Sequence, residues 1–165
     1  MKKLIIVNGA TGSGKSAVCQ RLYPMLERSV YLDGDWCWTM HPFVVNPENI
    51  AMVENNIAYL LRSFLGNTGY DYVLFSWGIA QPEILKELID ALEGYGFTPQ
   101  HFLLEVTAEE LAARLRAQGR DEETIAAARE RLPLYQVLPG ERIATDGRAP
   151  EEVAREICEK VAVPC

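Results

Sequence analysis

A glycine-rich loop near the N-terminus constrains the fold of this chain more than any other feature. Residues 9–16 read GATGSGKS and match the pattern GxxxxGK[ST], and a run of branched apolar residues at 4–7 comes directly before them. That run predicts a strand buried on both faces, and the pattern that follows predicts a helix over about 15–27. A loop between such a strand and such a helix is predicted to hold phosphate groups.

Each residue type in this loop has a physical reason to be there. Glycines let the backbone amides converge on phosphate oxygens, and the start of the helix adds its positive dipole. Lys15 supplies a point charge for the outer phosphates, and Ser16 supplies a hydroxyl for a magnesium ion. The alternative is a glycine-rich turn with an incidental lysine. The predicted nucleotide-binding residues are Gly9, Gly12, Ser13, Gly14, Lys15, Ser16 and Ala17.

The rest of the chain alternates short apolar runs with longer segments of helical period, as in an α/β protein with a parallel sheet. The predicted strands are 4–7, 30–32, 72–76, 101–106 and 142–146. The predicted helices are 15–27, 47–65, 82–93, one that opens at 107, 121–131 ended by Pro133, and 150–161.

Charge and composition exclude several classes of protein. The chain has 165 residues with a net charge of −7, which disfavours binding to extended nucleic acid or to an anionic membrane. The N-terminal apolar run is too short for a signal peptide or a membrane span. We therefore expect a cytoplasmic protein with free thiols. The four cysteines are Cys19, Cys37, Cys158 and Cys165.

Two aspartates follow the second predicted strand, in the run Asp33-Gly34-Asp35. Ligands of open α/β sheets bind at the carboxyl ends of the strands, so both carboxylates are expected near the phosphates. One of the two carboxylates is predicted to orient a magnesium-bound water, and the other to accept the proton of an attacking hydroxyl. The alternative is that these residues only make the turn after the strand.

The third predicted strand ends in Phe75-Ser76-Trp77-Gly78, without the aspartate that many nucleoside-triphosphatases place there. This argues against a motor or switch ATPase. Trp77, Trp36 and Trp38 are predicted to flank the crevice, where aromatic faces can stack on a ring or a sugar. The predicted acceptor-site residues are Asp35, Trp36 and Trp77, and core packing is the alternative for each tryptophan.

Four segments together resemble the shikimate, gluconate and adenylylsulfate kinase group of small P-loop kinases. They are the loop at 9–16, YLDGD at 31–35, TAEELAARLR at 107–116 and TDGRAPEEV at 145–153. The resemblance implies a three-layer fold with a five-stranded parallel sheet in the order 2-3-1-4-5. It also implies use of ATP and Mg²⁺, with Asp33 and Ser16 beside the metal and Asp35 as the base that faces the substrate.

The same resemblance implies a short helical lid, at about 114–135, that carries arginines. Gln118 stands where an arginine is often found, which leaves Arg114 and Arg120 as candidates, while Arg116 is expected on a solvated face. A lid guanidinium would stabilise charge on the transferring phosphoryl group. The predicted catalytic residues are Lys15, Asp35, Arg120 and Arg114.

The sequence thus predicts a single-domain enzyme, residues 1–165, that moves the γ-phosphoryl group of ATP to a hydroxyl of a small molecule. Two alternatives stay open: a nucleotide or nucleoside kinase, and an ATP-binding regulatory protein without catalysis. The expected partners are ATP and a small-molecule acceptor, with no extended nucleic acid and no membrane. The sequence indicates neither the acceptor nor the oligomeric state.

Overall fold

Five parallel strands form the centre of the fold, in the order β2-β3-β1-β4-β5. The structure is a computed structural model that describes residues 1–162. Every neighbouring pair of strands is parallel, and this confirms the order that the resemblance implied. The strands are β1 Lys2–Asn8, β2 Ser29–Asp33, β3 Tyr72–Trp77, β4 Phe97–Glu105 and β5 Glu141–Ala144.

Six α-helices connect the strands and cover the sheet. They are α1 Lys15–Leu22, α2 Pro47–Gly66, α3 Pro82–Asp90, α4 Ala108–Ala117, α5 Glu122–Gln136 and α6 Pro150–Ala162. Two short 3₁₀ turns, Tyr23–Met25 and Gly34–Trp38, follow α1 and β2.

The central strand β1 shows why the fold has three layers. Its residues Leu4–Val7 are at most 1% exposed, so both faces of the strand are covered. Ile5 and Val7 pack with α1 and α6 on one face, whereas Leu4 and Ile6 pack with α2 and α3 on the other. A third apolar cluster joins α4 and α5 to β4 at Leu103.

Side-chain caps fix the starts of three helices. The Asn46 side chain accepts a hydrogen bond from the amide of Asn49 at 2.8 Å, and Pro47 occupies the first turn of α2. Thr107 and Asp121 cap α4 and α5 in the same way. These starts agree with the sequence prediction, because a cap is a local signal.

The end of α5 differs from the prediction. Pro133 was expected to end this helix, but the helix continues to Gln136 with Pro133 inside it. Proline in a helix interior costs about 3 kcal/mol, and each large apolar side chain that becomes buried contributes about 1.5–3 kcal/mol. Leu132 and Tyr135 are both buried in the third cluster. The helix therefore keeps both side chains packed despite the proline.

The first helix also differs, because α1 ends at Leu22 and the chain continues in the 3₁₀ turn that contains Pro24. Within residues 1–162, no helix combines the length and the apolar content needed to cross a bilayer. Cys19, Cys37 and Cys158 are free thiols. Cys165 lies outside the described residues.

Candidate nucleotide and acceptor site

The glycine-rich loop lies between β1 and α1, and Asn8 anchors its first residue. The Asn8 side chain accepts hydrogen bonds from the amides of Gly9 and Ile79, at 2.8 and 2.9 Å, and donates one to the Ile79 carbonyl at 2.8 Å. These bonds tie the start of the loop to the segment after β3. Gly12 has a φ of +86°, and a Cβ there would lie 2.8 Å from Leu111 Cδ1, so the loop requires glycine at this position.

Among the residues that the structure describes, Lys15 forms no salt bridge. Its ammonium group donates to the carbonyls of Gly9 and Ala10, at 2.8 and 2.9 Å. Burial lowers the pKa of Lys15, although the charges of Asp35 and Asp33 act in the opposite direction. A phosphate group beside this ammonium would add to the compensation that Asp35 and Asp33 already give.

Ser16 and Asp33 meet at the predicted metal position. The Ser16 hydroxyl donates to Asp33 Oδ2 at 2.6 Å, and Asp33 Oδ1 accepts from the amide of Asp35 at 3.0 Å. In the described part of the chain, no group of three or more His, Cys, Asp or Glu side chains is arranged to hold a metal ion. Magnesium usually takes one or two protein oxygens, with water and substrate phosphates as its other ligands, so this pair fits that ion.

A buried hydroxyl pair, Tyr31 of β2 and Ser76 of β3, lies beside Asp33, and sequence reasoning did not find it. The hydroxyls of Tyr31 and Ser76 are 2.8 Å apart, and Tyr31 also donates to Asp33 Oδ2 at 3.3 Å. Asp33 and Ser76 are opposite each other in the pairing of β2 with β3. The sequence did contain a signal for this contact, because residues two apart in a strand lie on the same face, as Tyr31 and Asp33 do in β2.

Asp35 follows β2 in the turn Gly34–Trp38 and borders a cavity of about 290 Å³ that Lys15 also lines. The residue is exposed, yet partial desolvation of its carboxyl group raises its pKa, and the charge of Asp33 adds to this rise. Lys15 acts in the opposite direction. A carboxylate with a raised pKa is a better proton acceptor than an ordinary one.

The wall of this cavity opposite Asp35 comes from α5, and it contains two residues that sequence reasoning missed. Arg131 and Tyr135 line the cavity together with Thr11 of the loop. Burial raises the pKa of Tyr135, so its phenol stays protonated near neutral pH and can donate a hydrogen bond. No local motif marks Arg131, because only the packing of α5 on the sheet directs this face toward Lys15.

The two predicted lid arginines lie elsewhere. Arg114 donates to the carbonyl of Thr145 at 2.9 Å, to that of Ser13 at 3.2 Å and to Glu110 Oε1 at 3.0 Å. It lines a separate cavity of about 520 Å³ on the α6 side of the loop. Arg120 is exposed in the turn between α4 and α5, and it is not among the described residues that line the Lys15 cavity. The catalytic role of both arginines stays a prediction.

The cavity beside Arg114 adjoins the glycine-rich loop on the side where α6 begins. Six of the residues that line it are Gly12, Ser13, Gly14, Ala17, Arg114 and Arg148. The Ser13 hydroxyl is buried without a hydrogen-bond partner among the described residues. The other polar groups of Ser13 are paired, since its amide donates to the Ala10 carbonyl at 3.0 Å and its carbonyl accepts from Arg114 at 3.2 Å.

The three tryptophans have different surroundings. Trp36 is 52% exposed, with its ring in edge contact with that of Tyr31 at 5.3 Å between centroids. Trp77 packs against Gly34 and Phe75 and does not line either cavity that Asp35 borders. Trp38 lines a second cavity of about 440 Å³ with Asp35, Thr39 and Phe43. Asp35 is therefore the residue shared by the two cavities.

Three solved structures are similar to this chain over nearly its whole length. The tunicamycin resistance protein of Deinococcus radiodurans is 20% identical with a TM-score of 0.70, over 99% of this chain and 98% of that one. A gluconokinase from Sinorhizobium meliloti is 17% identical with a TM-score of 0.69, over 97% and 91%. The shikimate kinase of Acinetobacter baumannii in complex with shikimate is 20% identical with a TM-score of 0.68, over 98% and 93%.

No curated protein sequence matches this chain. The solved structures show the fold, and they confirm the predicted likeness to small P-loop kinases at that level. A family model described as "AAA domain" matches residues 5–134, which is most of the chain. The chain therefore belongs to this AAA domain family and has the fold of the small P-loop kinases.

Proposed function

We propose that this protein is an ATP-dependent phosphotransferase that moves the γ-phosphoryl group to a hydroxyl of a small molecule. The position of Asp35 carries the proposal, because this carboxylate borders both the cavity of Lys15 and the cavity of Trp38 and Phe43. A proton acceptor between a phosphate site and a second pocket is the arrangement that transfer to an alcohol requires. The cytoplasmic location predicted from the sequence remains part of this proposal.

ATP would bind through backbone groups of the loop and three cationic side chains. The amides of Gly12, Gly14 and Ser16 face the phosphates, and Lys15 moves from the loop carbonyls to a phosphate oxygen. Arg114 and Arg148 border the cavity that would receive the nucleoside. Ser16 and Asp33 would hold Mg²⁺, which when bound offsets the negative charge of the phosphates.

The transfer step would need little covalent chemistry from the protein. The acceptor oxygen forms a bond to the γ-phosphorus, the bond from that phosphorus to the bridging oxygen of ADP breaks, and the hydroxyl proton passes to an Asp35 carboxylate oxygen. The transition state of such transfers is largely dissociative. Asp35 therefore acts mainly by orienting the hydroxyl and receiving its proton.

We propose that Arg131 supplies the cationic charge that the sequence assigned to Arg120 and Arg114. Arg131 borders the same cavity as Lys15 and Asp35, whereas Arg114 is held by Thr145, Ser13 and Glu110 on the other side of the loop. A guanidinium in that cavity is suited to stabilise charge that develops on the transferred group. Helices α4 and α5 then form the proposed lid.

The test is acceptor-dependent release of ADP, measured with Mg²⁺ and a panel of alcohols, sugars and nucleosides. We expect one class of acceptor to stimulate ADP release, and Asp35→Asn to abolish most of this stimulation while leaving the Kd for ATP unchanged. The matched control is Glu93→Gln, an exposed carboxylate in the turn after α3. Binding of ATP without any acceptor-dependent turnover would contradict the proposal and favour an ATP-binding regulatory protein.

A further inference from the structure

We propose that the acceptor is an uncharged alcohol with a flat apolar face, and that this face binds against Trp38 and Phe43. This inference rests on the phosphotransfer proposed above and concerns the second of the two cavities that Asp35 borders. The charge, the shape and the exposure of the segment that follows β2 support it.

The acceptor side of the fold contains no lysine or arginine over a long stretch. Residues 29–61, which include β2, the 3₁₀ turn and most of α2, contain none, although they contain four carboxylates. These carboxylates are Asp33, Asp35, Glu48 and Glu54.

Proteins recognise carboxylate and phosphate groups mainly with arginine and lysine. An anionic acceptor in the second cavity would lose hydration beside the carboxylate of Asp35 and gain no cation among the residues that line it. Lys15 and Arg131 border the other cavity, where the phosphoryl group would take their charge. The lining therefore favours an acceptor without a carboxylate or phosphate group.

Two aromatic rings form the wall of the second cavity. The rings of Trp38 and Phe43 are 5.9 Å apart between centroids and inclined at 56°. Phe43 is 65% exposed, and the exposed side chains of Val44 and Val45 extend the apolar surface beside it. Clustered exposed apolar side chains of this kind mark binding surfaces, and aromatic faces pack well against flat ligand faces.

The remaining lining suits a hydroxyl group. Asp35 and Thr39 are the two polar residues of the cavity, so a hydroxyl near Asp35 would be aligned for transfer while the apolar face lies on the rings. The volume of about 440 Å³ is in the range of pockets that hold small organic ligands.

The test uses pairs of alcohols that differ in one negative charge. The probes are para-(hydroxymethyl)benzoate with para-(hydroxymethyl)benzamide, and phenyllactate with its amide. Calorimetry with Mg²⁺ and a non-hydrolysable ATP analogue gives the Kd of each probe, and ADP release with ATP gives kcat/KM. We expect each amide to have a Kd at least about tenfold lower than that of its acid, which corresponds to about 1.4 kcal/mol.

Two variants locate the binding. Phe43→Ala should raise the Kd of the amides about tenfold or more without changing the Kd for ATP. Tyr59→Ala is the matched control, because Tyr59 is an exposed aromatic residue of α2 that does not line the cavity. In addition, Thr39→Lys places a cation in the cavity and should narrow or reverse the preference for the amides.

The outcomes separate this inference from the proposed function. Acids that bind and react as well as their amides would overturn the acceptor class and leave phosphotransfer standing. Binding of the amides that depends on Phe43, without any release of ADP, would contradict phosphotransfer and retain the assignment of the cavity. Absence of binding by both members of every pair would overturn the inference.

Discussion

Ser13 and Ser16 are three residues apart in the same loop, yet their hydroxyl groups have opposite surroundings. The Ser13 hydroxyl is buried and unpaired among the described residues, whereas the Ser16 hydroxyl donates to Asp33 at the proposed magnesium position. An unsatisfied buried hydroxyl destabilises a fold by about 1–3 kcal/mol. The two serines therefore offer a matched pair for separating structure from binding.

We expect Ser13→Ala to keep ATP binding intact and to leave the free energy of unfolding unchanged or higher. We expect Ser16→Ala to weaken binding of ATP in the presence of Mg²⁺ about tenfold or more, and to weaken it much less in EDTA. Calorimetry with and without Mg²⁺ measures both variants. Equal losses for the two serines would show that the Ser16 hydroxyl has no separate role with the metal.

Asp35 illustrates a residue that is placed for chemistry at the expense of stability. Its pKa is raised in the folded chain above its usual value near 3.9, so the folded state binds this proton more tightly than the unfolded state does. The free energy of unfolding therefore falls as the pH rises from about 4 through the raised pKa.

We expect Asp35→Asn to melt at a higher temperature than the wild type at pH 7 and at the same temperature below about pH 3.5. The pH dependence of acceptor-stimulated turnover should show a loss of activity on the acid side, as Asp35 becomes protonated. Thermal melts across this pH range check the stability, with Glu93→Gln as the control. A difference in melting temperature that grows at low pH would contradict the direction of the shift.

At the scale of elements, the turn after β2 depends on a close contact between two strands. A Cβ at Gly34 would lie 2.6 Å from the ring of Trp77 at the end of β3. This contact aligns the ends of β2 and β3, and the turn that carries Asp35 starts from it.

Gly34→Ala is expected to lower the free energy of unfolding by about 1–3 kcal/mol, because the ring must shift within a packed cluster. Gly66→Ala at the end of α2 is the matched control, since a Cβ there meets only the edge of Tyr95 at 3.6 Å. Denaturant unfolding measures both. If Gly34→Ala were as stable as the control, the Trp77 ring could shift at no cost. The turn would then not depend on this contact.

Helix α5 brings a cation to the reactive cavity. Arg131→Ala should lower kcat for phosphotransfer about 10²–10³-fold with little change in the Kd for ATP, because its charge would act on the transition state. Arg129→Ala, an exposed arginine of the same helix, is the control and should keep near-normal kcat. Arg120→Ala completes the series, and a larger loss for that variant would restore the arginine that the sequence suggested.

At the scale of the whole molecule, this acidic protein gathers several positive groups near the carboxyl end of the central strand β1. The chain carries a net charge of −7, but loop amides, the start of α1, Lys15 and Arg131 converge on the same region. These local groups are sufficient for one polyphosphate, although the overall charge disfavours an extended polyanion.

ATP with Mg²⁺ should therefore stabilise the whole fold. At a concentration 100 times its Kd, a ligand adds about 2.7 kcal/mol, which for a chain of this size raises the melting temperature by about 5–10 °C. Lys15→Ala should abolish most of this increase. A full increase in that variant would mean that the nucleotide binds away from the loop.

Local patterns in the sequence were sufficient to predict the phosphate-binding loop, the α/β class and the position of the two aspartates after β2. A motif of eight residues fixes its own backbone and charge, and alternation between strand and helix periods favours a parallel sheet. The resemblance supplied the strand order, and the structure confirmed it. The helix starts were predictable for the same reason, since a cap involves residues only three apart.

Only the tertiary structure decided which distant side chains meet. Arg131 reaches the Lys15 cavity because α5 packs on the sheet through Leu132 and Tyr135, and no short segment of the sequence predicts that packing. Trp38, and not Trp77, shares a cavity with Asp35, because Trp77 packs on Gly34. Such contacts depend on the free energy of burying side chains across the whole sheet. No short segment of the sequence predicts that free energy.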